Sequence, residues 1–156
     1  VALSFKDKII QSWIYKPLIE EFSYAKLEEG CFINDKKIIV SKEIEISEAV
    51  GSISSKYWDS KYQKKITNLK DRFKNIKSYG CIGFEYVDII KEVRNFAILS
   101  KLHPWDHIPG ILMLKESGGS IMHFDKTPYN HSFSKNNLVI ANSNFLLKKI
   151  FNLIKE

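Results

Sequence analysis

The densest run of chemically capable side chains is His103-Pro104-Trp105-Asp106-His107-Ile108-Pro109-Gly110, followed by Lys115-Glu116-Ser117-Gly118-Gly119. The pattern reads as a strand-to-helix junction with one carboxylate, Asp106, in the first helical turn. Pro104 suits that turn because its missing N–H would have no partner there. The positive end of the helix dipole favours a negative charge at Asp106. An ionised carboxylate at the C-terminal end of a strand is a natural Mg²⁺ ligand. On chemistry alone, a second reading carries equal weight: Asp106 does no more than stabilise the helix N-terminus.

His103 and His107 stand four residues apart with Asp106 between them, which raises zinc as an option. Pro104 occupies the place of the glutamate in a His-Glu-x-x-His motif, and His123 and His131 lack ligand spacing. Ordinary surface or capping histidines are the expectation. Gly118-Gly119 lacks the spacing of a phosphate-binding loop and reads as a helix C-cap.

These residues need a scaffold, and hydrophobic periodicity supplies one. Residues 1–5, 9–15 and 22–26 read as strands. Cys31-Phe32-Ile33 and the stretch 37–40 flank Asn34-Asp35, a two-residue hairpin signal. The first third is therefore an antiparallel meander. A buried strand at 50–54 follows. Trp58, Tyr62, Ile66, Leu69 and Phe73 then recur at helical spacing. A short strand at 74–79, a helix at 82–91, a strand at 95–100 and the helix from Pro104 to Glu116 come next. Strands at 120–124 and 138–141 bracket a polar loop, and Ser143 caps a final helix with Leu146, Leu147, Ile150, Phe151 and Ile154 on its core face. Alternating strands and helices predict one layered α/β domain over 1–156, with a mixed, partly antiparallel sheet flanked by helices.

Composition sets the outer bounds. The 156 residues suffice for a real core, and 44% are hydrophobic and 27% charged. No apolar run reaches the roughly 20 residues of a membrane span. Cys31 and Cys81 are expected to be buried free thiols of a cytoplasmic protein. The net charge of +6 is concentrated in Lys56, Lys61, Lys64, Lys65, Lys70, Arg72, Lys74 and Lys77. That strip reads as the solvated face of one helix, and no nucleic-acid motif accompanies it. Val1 opens directly on a strand pattern without polar lead-in residues, and residue 1 is expected to be a cut point.

The motifs together resemble the inositol monophosphatase family. Trp105-Asp106, Gly110 and Glu116-Ser117-Gly118-Gly119 are similar to its second signature, a Trp-Asp opening a helix that ends in Glu-Ala-Gly-Gly. Trp13-Ile14-Tyr15-Lys16-Pro17, Gly30-Cys31-Phe32-Ile33-Asn34, Ser78-Tyr79-Gly80 and the stretch 138–142 match further family segments in order. The resemblance implies the C-terminal part of the sugar-phosphatase fold and Mg²⁺-dependent hydrolysis of a small phosphate monoester. It implies a metal-binding and catalytic role for Asp106, and substrate contacts at Gly80, Cys81 and Ile82.

The departures have consequences. The family's first signature, Asp-Pro-x-Asp-Gly-Thr, and its Glu-Glu pair have no counterpart here, and they supply most of the metal ligands. One carboxylate does not hold Mg²⁺ usefully, because the ion keeps its own waters. The chain alone is therefore expected to be inactive. Its expected complements are a missing N-terminal segment or a second copy covering exposed apolar surface. Leu99 stands where the family places an inositol-contacting glutamate, so inositol phosphate is not assured as substrate. Pro109 stands where a small residue is usual and removes a helical N–H.

Overall fold

The computed structural model describes residues 1–130 and 136–155, so His131 lies outside the described residues. Two five-stranded sheets form the frame. The first is wholly antiparallel and runs β1 (Ala2–Phe5), β2 (Lys8–Lys16), β3 (Glu21–Lys26), β4 (Gly30–Ile33) and β5 (Lys36–Ile38) in sequence order. The expected hairpin is present: Asn34 and Asp35 take φ of 45° and 62° between β4 and β5. Two successive positive φ values are what a type I′ turn requires, and Asn and Asp tolerate them best after glycine.

The second sheet is mixed. It contains β6 (Val50–Ile53), β7 (Asn75–Ile76), β8 (Phe96–Leu99), β9 (Ser120–His123) and β10 (Leu138–Ala141), in the order β7-β6-β8-β10-β9. β6 runs parallel to β7 and β8, while β10 is antiparallel to β8 and β9. Every residue of β8 and of β10 is buried. Their unbroken apolar runs reflect helices on both faces of the sheet.

Four helices complete the layers: α1 (Ser60–Leu69), α2 (Ile82–Ile90), α3 (Pro104–Glu116) and α4 (Asn144–Lys155). α2 and α3 lie between the sheets, and their buried side chains share one core with Ile9, Ala25 and Cys31 of the first sheet and Leu99 and Leu138 of the second. α1 and α4 cover the far face of the mixed sheet in a second core around Ile66, Leu69, Phe96, Leu147 and Ile150. Ser143 caps α4 as expected, accepting the Leu146 N–H on its hydroxyl at 3.2 Å. Gly118, at φ +93°, ends α3.

Several sequence expectations are corrected. The antiparallel meander is a sheet of its own. α1 is shorter than its apolar spacing suggests: Trp58 precedes it and stacks on Phe124 at 5.7 Å, and Phe73 follows it and packs on Phe96 at 4.3 Å. The two aromatics serve the same core from outside the helix. The cysteines differ: Cys31 is buried and Cys81 is exposed at the start of α2. Cys81 follows Gly80 at the surface end of α2, where no layer covers it. Among the described residues, no helix is long and apolar enough to cross a membrane.

Candidate active site

The C-terminal ends of the parallel strands β6 and β8 open onto a cleft. This is where ligands enter sheets of parallel strands. Its larger chamber, about 590 Å³, is lined by the segment after β6 (Ser54, Ser55, Lys56, Tyr57), by Ser100 and Lys101 after β8, by Ser78 and Gly80, by Lys70, and by His103 and Asp106 at the start of α3. A smaller chamber, about 200 Å³, adjoins it and shares Ile53, Ser54, Ser78, Gly80 and Lys101. Its other walls include Cys81, Ile82, Glu85, Leu99 and His107. Asp106 and the Gly80-Cys81-Ile82 segment, far apart in sequence, thus meet around one cleft.

Local bonding fixes each wall. Ser100 ties the two strand ends together: its N–H donates to the Ser54 hydroxyl at 3.2 Å and its hydroxyl donates to the Lys56 carbonyl at 2.6 Å. The Trp58 indole donates to the Ser54 carbonyl at 2.7 Å. The loop that carries Gly80 hangs from Glu85 of α2. The Ser78 hydroxyl donates to Glu85 Oε1 at 2.6 Å, the Tyr79 N–H donates to the same oxygen at 2.9 Å, and the Ser52 hydroxyl donates to Oε2. Gly80 itself takes φ +71°, and the space beside its Cα is open, so the cleft floor there is bare backbone. Glu85 carries no sequence signal of this role: it lies seven residues after Ser78, and the turn between them makes the pair adjacent.

Asp106 is exposed in the first turn of α3, and its carboxylate has no hydrogen-bond or ion-pair partner among the described residues. The N-cap residue of α3 is His103, which makes no side-chain cap bond, and Asp106 follows it as the acidic residue of the first turn. His103 and His107 diverge. The His103 ring stacks on Trp105 at 4.8 Å, while His107 is 4% exposed with Nδ1 3.3 Å from the Tyr86 hydroxyl. Burial pulls the His107 pKa down to about 4, against the opposing pull of the nearby Asp106 charge. The imidazole is therefore neutral. Burial likewise holds the Tyr86 hydroxyl well above its ordinary range, in its protonated form.

The larger chamber is cationic: among the described residues Lys56, Lys70 and Lys101 share it with one carboxylate, Asp106. Glu85, in the smaller chamber, is already committed to three donors. No three His, Cys, Asp or Glu side chains gather in metal-binding geometry among the described residues. Mg²⁺ needs near-octahedral oxygen ligation. These residues alone do not fit it.

At the other end of α3, Glu116 has a structural role. Its carboxylate accepts the N–H groups of Glu28 and Gly30, each at 3.0 Å, and so clamps the β3–β4 turn.

Known proteins are similar to this chain in sequence and in fold. The chain is 30% identical over 123 residues to a Thermotoga maritima fructose-1,6-bisphosphatase/inositol-1-monophosphatase, covering 79% of this chain and 47% of that protein. It is 27% identical over 141 residues to the Bacillus subtilis inositol-1-monophosphatase, covering 88% and 52%. The chain spans about half the length of these curated relatives. The fold matches that of inositol monophosphatase II from Staphylococcus aureus with a TM-score of 0.86 at 17% identity, over 97% of this chain and 56% of that one. An IMPase/NADP phosphatase structure complexed with Mg²⁺ and phosphate matches with a TM-score of 0.83, also at 17% identity, over 97% and 56%. The family correspondence runs over residues 1–156, the whole sequence, and the chain belongs to the inositol monophosphatase family.

Proposed function

We propose that this chain forms the substrate-side half of a phosphatase cleft that hydrolyses a small sugar-type phosphate monoester. The observation that carries this reading is the shared cleft: Asp106, Gly80 and three lysines line one chamber at the ends of β6 and β8. Lysines concentrate a dianionic phosphate through long-range attraction and point-charge contact. Asp106, unpartnered and exposed, is the residue assigned to hold Mg²⁺ and position the substrate once further carboxylates complete the cage. Gly80, Cys81 and Ile82 form the wall against the organic part of the ester.

The same chemistry limits these 156 residues in isolation. Asp106 on its own does not strip water from Mg²⁺, so the isolated chain binds phosphate esters weakly and does not turn them over. The test is phosphate release from a panel of sugar phosphates by the purified chain at millimolar Mg²⁺, paired with amide NMR during titration with inorganic phosphate. No release, with shifts centred on Gly80 and Lys101, is the expected result. Turnover would refute the inactivity, and shifts confined to other surfaces would remove the cleft assignment. The free thiols Cys31 and Cys81 support a cytoplasmic setting.

A second reading, self-association as a binding module, is favoured by the outer face of the first sheet. Tyr15, Phe22, Tyr24 and Phe32 form a ladder there, with successive ring centroids 6.4, 5.6 and 5.0 Å apart. Tyr15 is 53% exposed and Phe22 39%. Aromatic surface of this kind is typical of interfaces. Sedimentation velocity across a concentration series distinguishes the outcomes: a dimer lost on Phe22→Lys supports this reading, and a monomer throughout removes it.

A further inference from the structure

The smaller chamber holds a polar group that neither the fold nor the proposed chemistry has used. His107 is 4% exposed, lines that chamber, and has only one hydrogen-bond partner among the described residues, the Tyr86 hydroxyl. Tyr86 is completely buried, and His107 Nδ1 is the only partner of its hydroxyl there. A buried phenol donates its proton where an acceptor is present, and Nδ1 is the acceptor recorded for it among the described residues. The network therefore assigns Nδ1 as the bare nitrogen and places the ring proton on Nε2. Nε2–H is then a fixed donor without a partner among the described residues, on a side chain more than nine-tenths buried in a chamber wall.

The surroundings define what would meet it. Leu99, Ile82 and Cys81 make the adjoining wall apolar, and Lys101 stands where the two chambers join. At about 200 Å³ the chamber is smaller than a drug-sized site of about 300–1,000 Å³. It admits one small ring.

We infer that His107 is a substrate-recognition residue, whose Nε2–H donates to a hydroxyl or ring oxygen of a small sugar phosphate while Leu99 and Ile82 pack on an apolar edge of the same ring. The inference rests on the phosphate-ester reading above. It assigns the two ends of the ligand to different groups: the lysines take the phosphate and His107 reads the organic part. A site built around one buried donor penalises a ligand that leaves the donor unmet.

The experiment uses the 156-residue chain, with inorganic phosphate and ribose 5-phosphate as probes and NMR as readout. In the wild type, the imidazole ¹⁵N pattern should show the Nε2–H form, and ribose 5-phosphate but not inorganic phosphate should shift Nε2. His107→Phe should weaken ribose 5-phosphate about three- to tenfold and leave inorganic phosphate unchanged. His107→Gln, whose amide nitrogen replaces the donor, should recover most of the loss. The Gln variant and the wild-type ¹⁵N pattern keep the test decisive if the Phe variant folds poorly. An Nδ1–H tautomer, or equal affinity of wild type and both variants for ribose 5-phosphate, overturns the inference while phosphate binding at Lys101 still stands. Absence of any shift at Gly80 and Lys101 with either probe overturns the phosphate-ester reading, and this inference with it.

Discussion

The Ser78 hydroxyl donates to the Glu85 carboxylate at 2.6 Å, so the loop that forms one wall of the cleft is suspended from a side chain of α2. Glu85 is 2% exposed, and it also accepts from the Ser52 hydroxyl and the Tyr79 N–H. Glu85→Ala should destabilise the fold by about 1–3 kcal/mol, because it removes three hydrogen bonds to a carboxylate and leaves the buried Ser52 hydroxyl without its acceptor. Urea denaturation measures that loss. Hydrogen exchange at Tyr79 should accelerate more than at the centre of β8, and Glu85→Gln should give a smaller effect on both.

Asp106 offers a test of its two sequence-level readings. A carboxylate that mainly stabilised the helix start would contribute to stability through the dipole and a cap bond. Because it is exposed and its carboxylate has no hydrogen-bond partner among the described residues, Asp106→Asn should change stability by less than about 1 kcal/mol. Thermal unfolding checks this, and a loss well above that size would return Asp106 to a structural role.

Gly110 is where α3 touches α2. A Cβ there would lie 2.1 Å from Tyr86 Cγ and 2.3 Å from Cδ2. Gly110→Ala should destabilise by about 1–3 kcal/mol through overpacking, read from the denaturation midpoint. It should also disturb the His107 ring resonances, since the displaced ring is the one that bonds to Nδ1.

Glu21 links the first sheet to α2. Burial pushes its carboxyl pKa up, but hydrogen bonds from Lys91 and Lys16 and their charges outweigh that and hold it below the usual 4.5. Lys16 also reaches Asp88 at 3.0 Å. A carboxyl depressed in the folded state contributes stability that is fully present above its unfolded pKa and lost as pH falls through the folded one. Stability should therefore hold at neutral pH and decline below about 4.5. In Glu21→Gln this part of the acid dependence should flatten.

The two thiols should react very differently. Burial pushes the Cys31 thiol up to about 12, whereas Cys81 is exposed. One equivalent of a disulfide-exchange reagent should be consumed by the native chain and two after denaturation. Mass spectrometry should locate the first label on Cys81.

Much of this architecture was legible in the sequence because it rests on local rules. The Asn34-Asp35 hairpin, the Ser143 cap and the Pro104 helix start each follow from one or two neighbouring residues. Asp106 and Gly80 were legible through motif resemblance, and the fold brings both to one cleft. What escaped was long-range. Nothing local places Glu85 under Ser78 or turns His107 inward to Tyr86, because those pairings depend on how α2 settles against α3 and the mixed sheet. The exposure of Cys81 was missed for a related reason: its apolar neighbours serve α2, while the thiol itself sits outside the helix start. The separation into two sheets was hidden because strand pairing inside a meander does not state where the meander docks.

The clamp by Glu116 has a mechanical consequence. α3 is thirteen residues long, about 20 Å from end to end. Its front turn carries Asp106, and its rear turn grips the Glu28 and Gly30 amides of the opposite sheet. The helix is thus a strut anchored away from the cleft, and the height of the carboxylate is set from that distant footing. Loosening the footing would tilt the strut and misplace the charge without touching a single cleft residue.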